Sequence, residues 1–461
     1  MEYLSLEDIV KAVSGEVLIK GNKFDWQYVS TDTRKIEEKA IFIALKGERF
    51  NGNEYVDTAS QKGAYICIVD EVHFKKEEIK DYTTIIKVEN TGKALLDLAK
   101  YYKSKLKIKV VAITGSTGKT STKDLTAAVL NSKYKVFKTQ GNFNNEIGLP
   151  LMIFKLDKSY DIAVLEMGMS DFGEIHRMAE TALPDVAIIT NIGISHIENL
   201  KSRENILKAK LEITDFFGDN NILIVNGEDE LLGNLQEEKY KLIKTGLEKN
   251  HNIYAYDINL NEKKVSFEVL ESETNKKVYI NVPVPGKHNV LNSLLAIACG
   301  RVLGIEFEDI KKGILNLETT SMRLDIVKGK KFNIVDDSYN ASPDSMRAAI
   351  DVLCNIKGKK RYAVLGTMKE LGEESHRAHR EIGKYAGEKS INLIVLGDFS
   401  KSYIEGYLEG SENNSNRGYI LEAKDKDEVI TYLNDHLDSE DVVLFKASRS
   451  EHFEEMVESF K

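Results

Sequence analysis

The sequence predicts an α/β protein built from three domains, and three observations carry that prediction. The chain has 461 residues, too many for one core at roughly 100 to 200 residues per domain. Short β-branched runs alternate with stretches of helical periodicity along most of it, the pattern of parallel sheets covered by helices. Finally, the apolar run Val110 to Ile113 ends in the glycine-bearing turn Thr114-Gly115-Ser116-Thr117-Gly118-Lys119-Thr120, and a helical pattern follows.

That turn reads as a phosphate cradle. Glycines let backbone N–H groups approach a polyphosphate and the helix N-terminus favours negative charge. Lys119 can reach the outer phosphates, and the Thr120 hydroxyl can sit on Mg²⁺. The usual pattern has a first glycine where this chain has Ile113, so the loop is a shorter form. The alternative is a strand-to-helix turn that merely carries Gly-Lys-Thr.

Composition narrows the partners. With 64 basic and 73 acidic residues the formal net charge is −9, which favours neither nucleic acid nor an anionic membrane. Cys67, Cys299 and Cys354 lie far apart in apolar surroundings and read as reduced core residues. No run approaches the ~18 apolar residues of a membrane span, so a cytoplasmic protein without a membrane segment is expected.

The first domain, residues 1–107, reads as small mixed α/β. Ser5 precedes a short helix, strands are expected around Val17–Ile19, Ala40–Leu45, Tyr65–Val69 and Thr84–Val88, and Thr91–Tyr102 reads as a helix. Two polar loops stand out, Ser30-Thr31-Asp32-Thr33-Arg34 and Lys46-Gly47-Glu48-Arg49-Phe50-Asn51. Each is either a solvated turn or a binder of a phosphate or nucleotide head group.

The second domain, residues 108–322, begins with the cradle. The loop from Thr139 to Gly148, with Asn142, Asn144 and Asn145, is either a turn cluster or a set of amides for a polar ligand. A strand from Asp161 ends in Glu166, and another, Asp185–Thr190, leads towards His196. In a parallel sheet ligands bind beyond the carboxyl ends of the strands, which puts Glu166 and His196 on the rim that carries Lys119. In the helix from Arg203 to Thr214, Lys210 falls inside the apolar arc of Ile206, Ala209 and Ile213. Such a lysine is paired, snorkelling, or chemically altered, for example to a carbamate that could hold metal. A β-meander is expected over Asn252–Val282, then a helix from Pro285 in which Asn289 and Asn292 share a face and either cap the helix or read a base edge.

The third domain, residues 323–461, alternates strands with helices as a Rossmann-like, doubly wound sheet, without a G-x-G-x-x-G fingerprint. Ser342 and Pro343 should start its first helix, leaving Asp337, Tyr339 and Asn340 on an exposed strand-end loop. These parts favour phosphoryl chemistry without separating a kinase, a motor-like NTPase and an ATP-driven ligase.

Several motifs, in order and over the whole chain, resemble the Mur ligase family: TGSTGKTS at Thr114–Ser121, Glu166 in LEMG, His196, Lys210 in KAKLEI, PGKHNVLN at Pro285–Asn292, and Arg323 in MRLD. STDTR, KGERFNGN, QGNFNNEIGLPL, DDSYNASPDSMRAAI and VLGTMKELGEES narrow it further, with departures at Thr367, Lys369 and Ala447. The resemblance implies an ATP- and Mg²⁺-dependent amide ligase that joins D-alanyl-D-alanine to a UDP-N-acetylmuramoyl-tripeptide through an acyl phosphate, in peptidoglycan synthesis; a monomer is expected. It implies that Thr31, Asp32, Arg34, Lys46, Gly47 and Asn51 hold the uridine-linked substrate, with Asn142, Asn144, Asn145 and Asn340 as further substrate contacts. The cradle residues Thr114 to Ser121, with Asn289, Asn292, Arg323, Asp337 and Tyr339, would hold ATP. Thr120, Glu166, His196 and carbamylated Lys210 would hold metal. Lys119 would serve the transferring phosphoryl, and Arg323, a catalytic residue from the hinge between the second and third domains, would be brought to the nucleotide. The alternatives are another ligase of the superfamily, such as a folylpolyglutamate synthase, or a non-catalytic nucleotide switch.

Overall fold

The computed structural model of the protein describes residues 1–412, 414 and 417–461. Three sheets organise it. The first has five strands, β1 (Glu16–Ile19), β2 (Tyr28–Ser30), β3 (Ala40–Ile43), β4 (Ala64–Val69) and β5 (Thr84–Lys87), in the order β1-β5-β4-β3-β2. Only β1 runs antiparallel to its neighbour. β4 is buried along its whole length, as an unbroken apolar run in a covered parallel strand must be. A capping box between Ser5 and Asp8 opens the helix Leu6–Ala12, and Asn90 caps Thr91–Ser104, which buries Leu95, Leu98, Ala99 and Tyr102. β2 and the helix Val56–Gln61 lie outside the sequence expectation, being too short for a period to register.

The second sheet has nine strands: β6 (Lys109–Thr114), β7 (Val136–Lys138), β8 (Ile162–Glu166), β9 (Val186–Ile189), β10 (Ile222–Asn226), β11 (Lys241–Gly246), β12 (Ile253–Leu260), β13 (Val265–Glu271) and β14 (Lys276–Val282). Their order is β14-β13-β12-β11-β10-β9-β6-β8-β7. β6, β7 and β8 pair in parallel, whereas β12 to β14 form the expected antiparallel meander.

The third sheet orders β15 (Asp325–Lys328), β16 (Asn333–Asp336), β17 (Arg361–Leu365), β18 (Asn392–Val395), β19 (Ile420–Glu422) and β20 (Val442–Lys446) as β15-β16-β20-β17-β18-β19, with only β15 antiparallel. Alternate residues feed two cores. Ala363, Leu365 and Leu444 enter one, and Tyr362, Val364 and Phe445 the other, so helices cover both faces. Ser342 and Ser345 bond reciprocally at the start of the helix Pro343–Asn355, with Pro343 in its first turn as expected.

By compactness the chain forms two units: Met1–Ile113, Tyr134–Ala187 and Leu211–Ile222 make the first, and Thr114–Lys133, Ile188–Lys210 and Leu223–Lys461 the second. Among the described residues no helix is long and apolar enough to cross a membrane.

Candidate nucleotide and substrate sites

In the second unit the cradle is a braced loop. Gly115 has φ of 151°, and a Cβ there would lie 1.8 Å from Thr190 Oγ1, so the position admits glycine alone. The Thr190 hydroxyl donates to the Thr117 carbonyl oxygen at 2.5 Å. Asn191 grips Thr117 twice: its Oδ1 accepts from Thr117 N at 2.8 Å, and its Nδ2 donates to Thr117 Oγ1 at 2.6 Å. Ser116 N donates to the Asn191 carbonyl at 3.0 Å, while the Ser116 hydroxyl accepts from Gly193 N at 2.9 Å. These bonds occupy the amides of Ser116 and Thr117. The helix Lys119–Leu130 starts from left-handed Gly118 without a side-chain cap and without an acidic residue in its first turn. Its N-terminus is therefore suited to an anion. Lys119 Nζ donates to the Gly115 carbonyl at 2.7 Å, folded back over the loop it would release when a phosphate arrives.

Beside the cradle lies a cavity of about 200 Å³ lined by Gly118, Ser121, Asn289, Asn292, Arg323 and Asp337, among others. Arg323 comes from a turn in which both neighbours, Met322 and Leu324, have positive φ. Its guanidinium stacks 4.1 Å from the Tyr339 ring centre, and its Nη2 lies 3.4 Å from Thr120 Oγ1. Asn289 is not a helix cap: it sits inside the helix Lys287–Val302, donates to the Pro285 carbonyl at 2.7 Å, and receives Asn292 Nδ2 at 3.3 Å. Asn292 Oδ1 faces Gly118, where an added Cβ would be 2.9 Å away.

The expectation of an exposed loop fails for Asp337. Its carboxylate is buried and pairs with buried Lys446 at 2.5 Å, because β16 and β20 are neighbours that bring residues 109 apart together. Burial pulls the Lys446 amine below its ordinary range while Asp337 pulls it back. Tyr339 is half-buried, and Asn340 is exposed with its carbonyl accepting from Lys446.

Lys210 is 1% exposed and makes no hydrogen bond or ion pair among the described residues. Burial, with the charge of Lys119 adding to it, drives its amine well below the ordinary lysine range. It neither snorkels nor finds a counter-ion. A neutral amine is the form that adds CO₂. His196, at φ of 64°, follows β9 and places Nδ1 2.7 Å from Glu370 Oε2.

In the first unit Glu166 ends β8, paired in register with Ile113, and is 3% exposed. Asn144 Nδ2 donates to its Oε1 at 2.9 Å, and Thr139 Oγ1 accepts from its backbone N. Asn145 is used structurally, its Oδ1 accepting from Gly148 N at 2.8 Å where the next helix starts; Asn142 is exposed. A second cavity, of about 890 Å³, is lined by Lys46, Asn90, Lys93, Lys100, Glu146 and Arg177, among others. Of the residues expected to hold the uridine-linked substrate, its lining includes Lys46 and not Thr31, Asp32, Arg34, Gly47 or Asn51. Lys46 and Asn51 close their loop with a bridge, with Gly47 N bonded to the Phe50 carbonyl, and both side chains reach Glu71, at 2.7 and 2.6 Å. Lys46 and then His73 hold the Glu71 carboxyl down at about 2. Arg34 forks onto Asp32 at 2.9 and 2.8 Å, which likewise holds that acid at about 2, and Thr31 is half-buried beside them.

Among the described residues no group of three or more His, Cys, Asp or Glu side chains could hold a metal. Mg²⁺ needs no such group, since it keeps several waters and is held by one or two protein oxygens together with nucleotide phosphates. Sequence reasoning missed Lys446, Glu370 and Asp344. Asp344 Oδ2 presses on Gly193, where a Cβ would lie 2.3 Å away. Asp344 and Glu370 fall within quoted motifs and Lys446 adjoins the departure at Ala447, so proximity to these stretches was the available signal.

The braced loop, the three sheets and the order of motifs define a P-loop ligase architecture, and comparison places it. Residues 26–103 match the Mur ligase family catalytic domain, 113–300 the Mur ligase middle domain, and 322–449 the Mur ligase glutamate ligase domain. The chain is 39% identical over 451 residues to the UDP-N-acetylmuramoyl-tripeptide–D-alanyl-D-alanine ligase of Bacillus subtilis, covering 95% of this chain and 96% of that one. It superposes on crystal structure I of MurF from Acinetobacter baumannii with a TM-score of 0.89 at 28% identity, covering 100% of this chain and 99% of that one. The MurF ligase of Thermotoga maritima, solved in complex with ADP, gives 0.81 at 30% identity, covering 94% and 97%. The chain belongs to the Mur ligase family.

Proposed function

We propose that the protein is the ATP-dependent ligase that joins D-alanyl-D-alanine to a UDP-N-acetylmuramoyl-tripeptide. The observation that carries this reading is the braced cradle with Lys119 at its helix start, in a chain related along its whole length to ligases of that name. An ADP-bound relative supports nucleotide use at the same fold.

A carboxylate at neutral pH is a poor acyl donor, so a phosphoryl group must first be placed on it. Lys119 leaves the Gly115 carbonyl to hold the transferring phosphoryl, and the amides of the helix N-terminus take the other phosphate oxygens. Arg323, stacked on Tyr339, adds positive charge beside Thr120. Asn289, Asn292 and Asp337 shape the nucleotide cavity. In the second unit Thr120, His196 and carbamylated Lys210 would hold Mg²⁺; in the first, Glu166 is the carboxylate suited to the same ion. The metal, when bound, neutralises developing phosphate charge. Lys46, Gly47, Asn51, Thr31, Asp32 and Arg34 take the uridine end, Asn142, Asn144 and Asn145 the body of the muropeptide, and Asn340 the incoming dipeptide. The functional division at 1–107, 108–322 and 323–461 follows from these roles, in a cytoplasmic monomer.

The test is ADP release in the presence of ATP, Mg²⁺, tripeptide substrate and D-alanyl-D-alanine, each omitted in turn. Product that forms only when all are present supports the reading. ADP release that ignores the dipeptide rejects it in favour of a nucleotide switch.

A further inference from the structure

The contact between His196 and Glu370 has no place in the roles above. His196 lies in the loop after β9, and Glu370 in the loop after β17, which the helix Ser375–Glu388 follows. Both are non-glycine residues held at φ of 64°. A left-handed backbone at such residues costs of order 1–3 kcal/mol and persists where surrounding structure imposes it. Here the surroundings do so from both sides. Met368 N donates to His379 Nε2 at 2.9 Å and Lys369 N to Ser448 Oγ at 2.8 Å, so the residues before Glu370 are fixed. Glu198 N approaches the Glu370 carbonyl at 3.5 Å, and a Cβ on Gly372 would lie 3.1 Å from Glu198 Cγ. Ile194 and Ile197, which bracket His196, pack on the core of the third sheet. Two rigid loops therefore meet, and the carboxylate they deliver lies 2.7 Å from His196 Nδ1. At that distance the two atoms are within ion-pair reach, while His196 Nδ1 meets no hydrogen-bond geometry among the described residues. His196 pulls the Glu370 carboxyl below its usual range, and the charge of Lys119 adds to this.

A histidine that ligates metal donates its other ring N–H to a carboxylate or carbonyl, which fixes tautomer and ring orientation. We propose that Glu370 is a positioning residue for the reaction: it takes the Nδ1 proton of His196 in a hydrogen bond, leaves Nε2 as the ligating nitrogen, and so makes a metal ligand competent only when the loop after β17 is docked. This rests on the metal role given to His196 above. It also supplies a physical link from the third sheet to the metal, through one side chain.

Two readouts other than turnover test it in the full-length enzyme. With ¹⁵N-histidine labelling, wild-type His196 should carry its proton on Nδ1, and Glu370→Ala should move the population towards Nε2–H. Mn²⁺ titrated in the presence of a non-hydrolysable ATP analogue should bind Glu370→Ala about 10- to 100-fold more weakly. Thermal midpoint and nucleotide affinity at saturating metal should not change. A purely structural ion pair would lower the thermal midpoint and leave tautomer and Mn²⁺ affinity alone; that result overturns the proposal. If Glu370→Ala does not fold, Glu370→Gln carries the same Mn²⁺ test in the same direction, and wild-type affinity there overturns it too. Wild-type ADP release measured alongside separates the two failures: turnover with unchanged Mn²⁺ binding in the variant sinks only the role of Glu370.

Discussion

Lowering the pH should loosen the loop that carries Glu370, through His379. This imidazole is fully buried between two backbone partners: Nδ1 donates to the Ser375 carbonyl at 2.6 Å, and Nε2 accepts from Met368 N at 2.9 Å. Phe399 stacks on its face at 4.4 Å and Tyr403 meets it edge-on. A second proton would set N–H against N–H with no water to help. Burial lowers its pKa from 6.5 to about 4, the Ser375 bond opposes this, and His376 and Lys369 add to it. Since the folded value lies below the unfolded one, the unfolded chain binds more protons between them. The stability is whole above pH 6.5 and drains away as pH falls towards 4. At pH 5 the loss is ~2 kcal/mol for one such group. His288, half-buried and also lowered to about 4, adds its own share, so the informative quantity is a difference. His379→Gln keeps a donor and an acceptor but does not titrate. Urea unfolding read by hydrogen exchange in peptides spanning residues 361–388, from pH 7.5 to 5, should cost the wild type ~2 kcal/mol more than the variant. Equal pH dependence in the two proteins would refute the assignment of the proton to this ring.

Four further outcomes are expected. Lys119→Ala should lower kcat by roughly 10²-fold or more in the ADP-release assay, since its charge is aimed at the transferring phosphoryl; near wild-type turnover would reject that role. Lys210→Ala should be inactive and partly restored by small carboxylates such as formate, whereas full activity without them would contradict a carbamate. Gly115→Ala, with its new methyl 1.8 Å from Thr190 Oγ1, should abolish nucleotide binding measured by calorimetry while the two flanking sheets keep their thermal transitions. Lys446→Met should destabilise the third sheet by about 3–5 kcal/mol, because it leaves Asp337 charged and buried without its partner, and chemical denaturation would show the shift.

The cradle was legible because its information is local: strand, turn and helix start fall within a dozen residues, and the bond pattern of Gly115 and Gly118 follows from the turn. Lys210 was equally visible, since helical periodicity alone puts it in the apolar arc, and the structure buries it there. What the sequence hid depends on neighbours distant in the chain. Asp337 looked exposed because its partner, Lys446, arrives only when β20 inserts beside β16. Asn289 offered capping or base reading with equal force until the position of Gly286 at the helix start ruled out the cap. Asn145 could be read as a ligand amide or as a turn residue, and the bond its Oδ1 accepts from Gly148 N was hidden because a turn cluster and a binding cluster use the same side chains. β2, β15 and β19 have three or four residues each, too few for alternation to stand out.

The grip of Asn191 on Thr117 reaches further than the loop it steadies. A site that is rigid before its ligand arrives exacts little ordering entropy from it. That rigidity is borrowed from a segment 74 residues downstream. Nucleotide affinity is thereby inherited from the local stability of the chain just after β9, where no phosphate would be touched. Heat or denaturant that frays this stretch would empty the cradle while the sheets still stand, so loss of ligand would precede loss of fold.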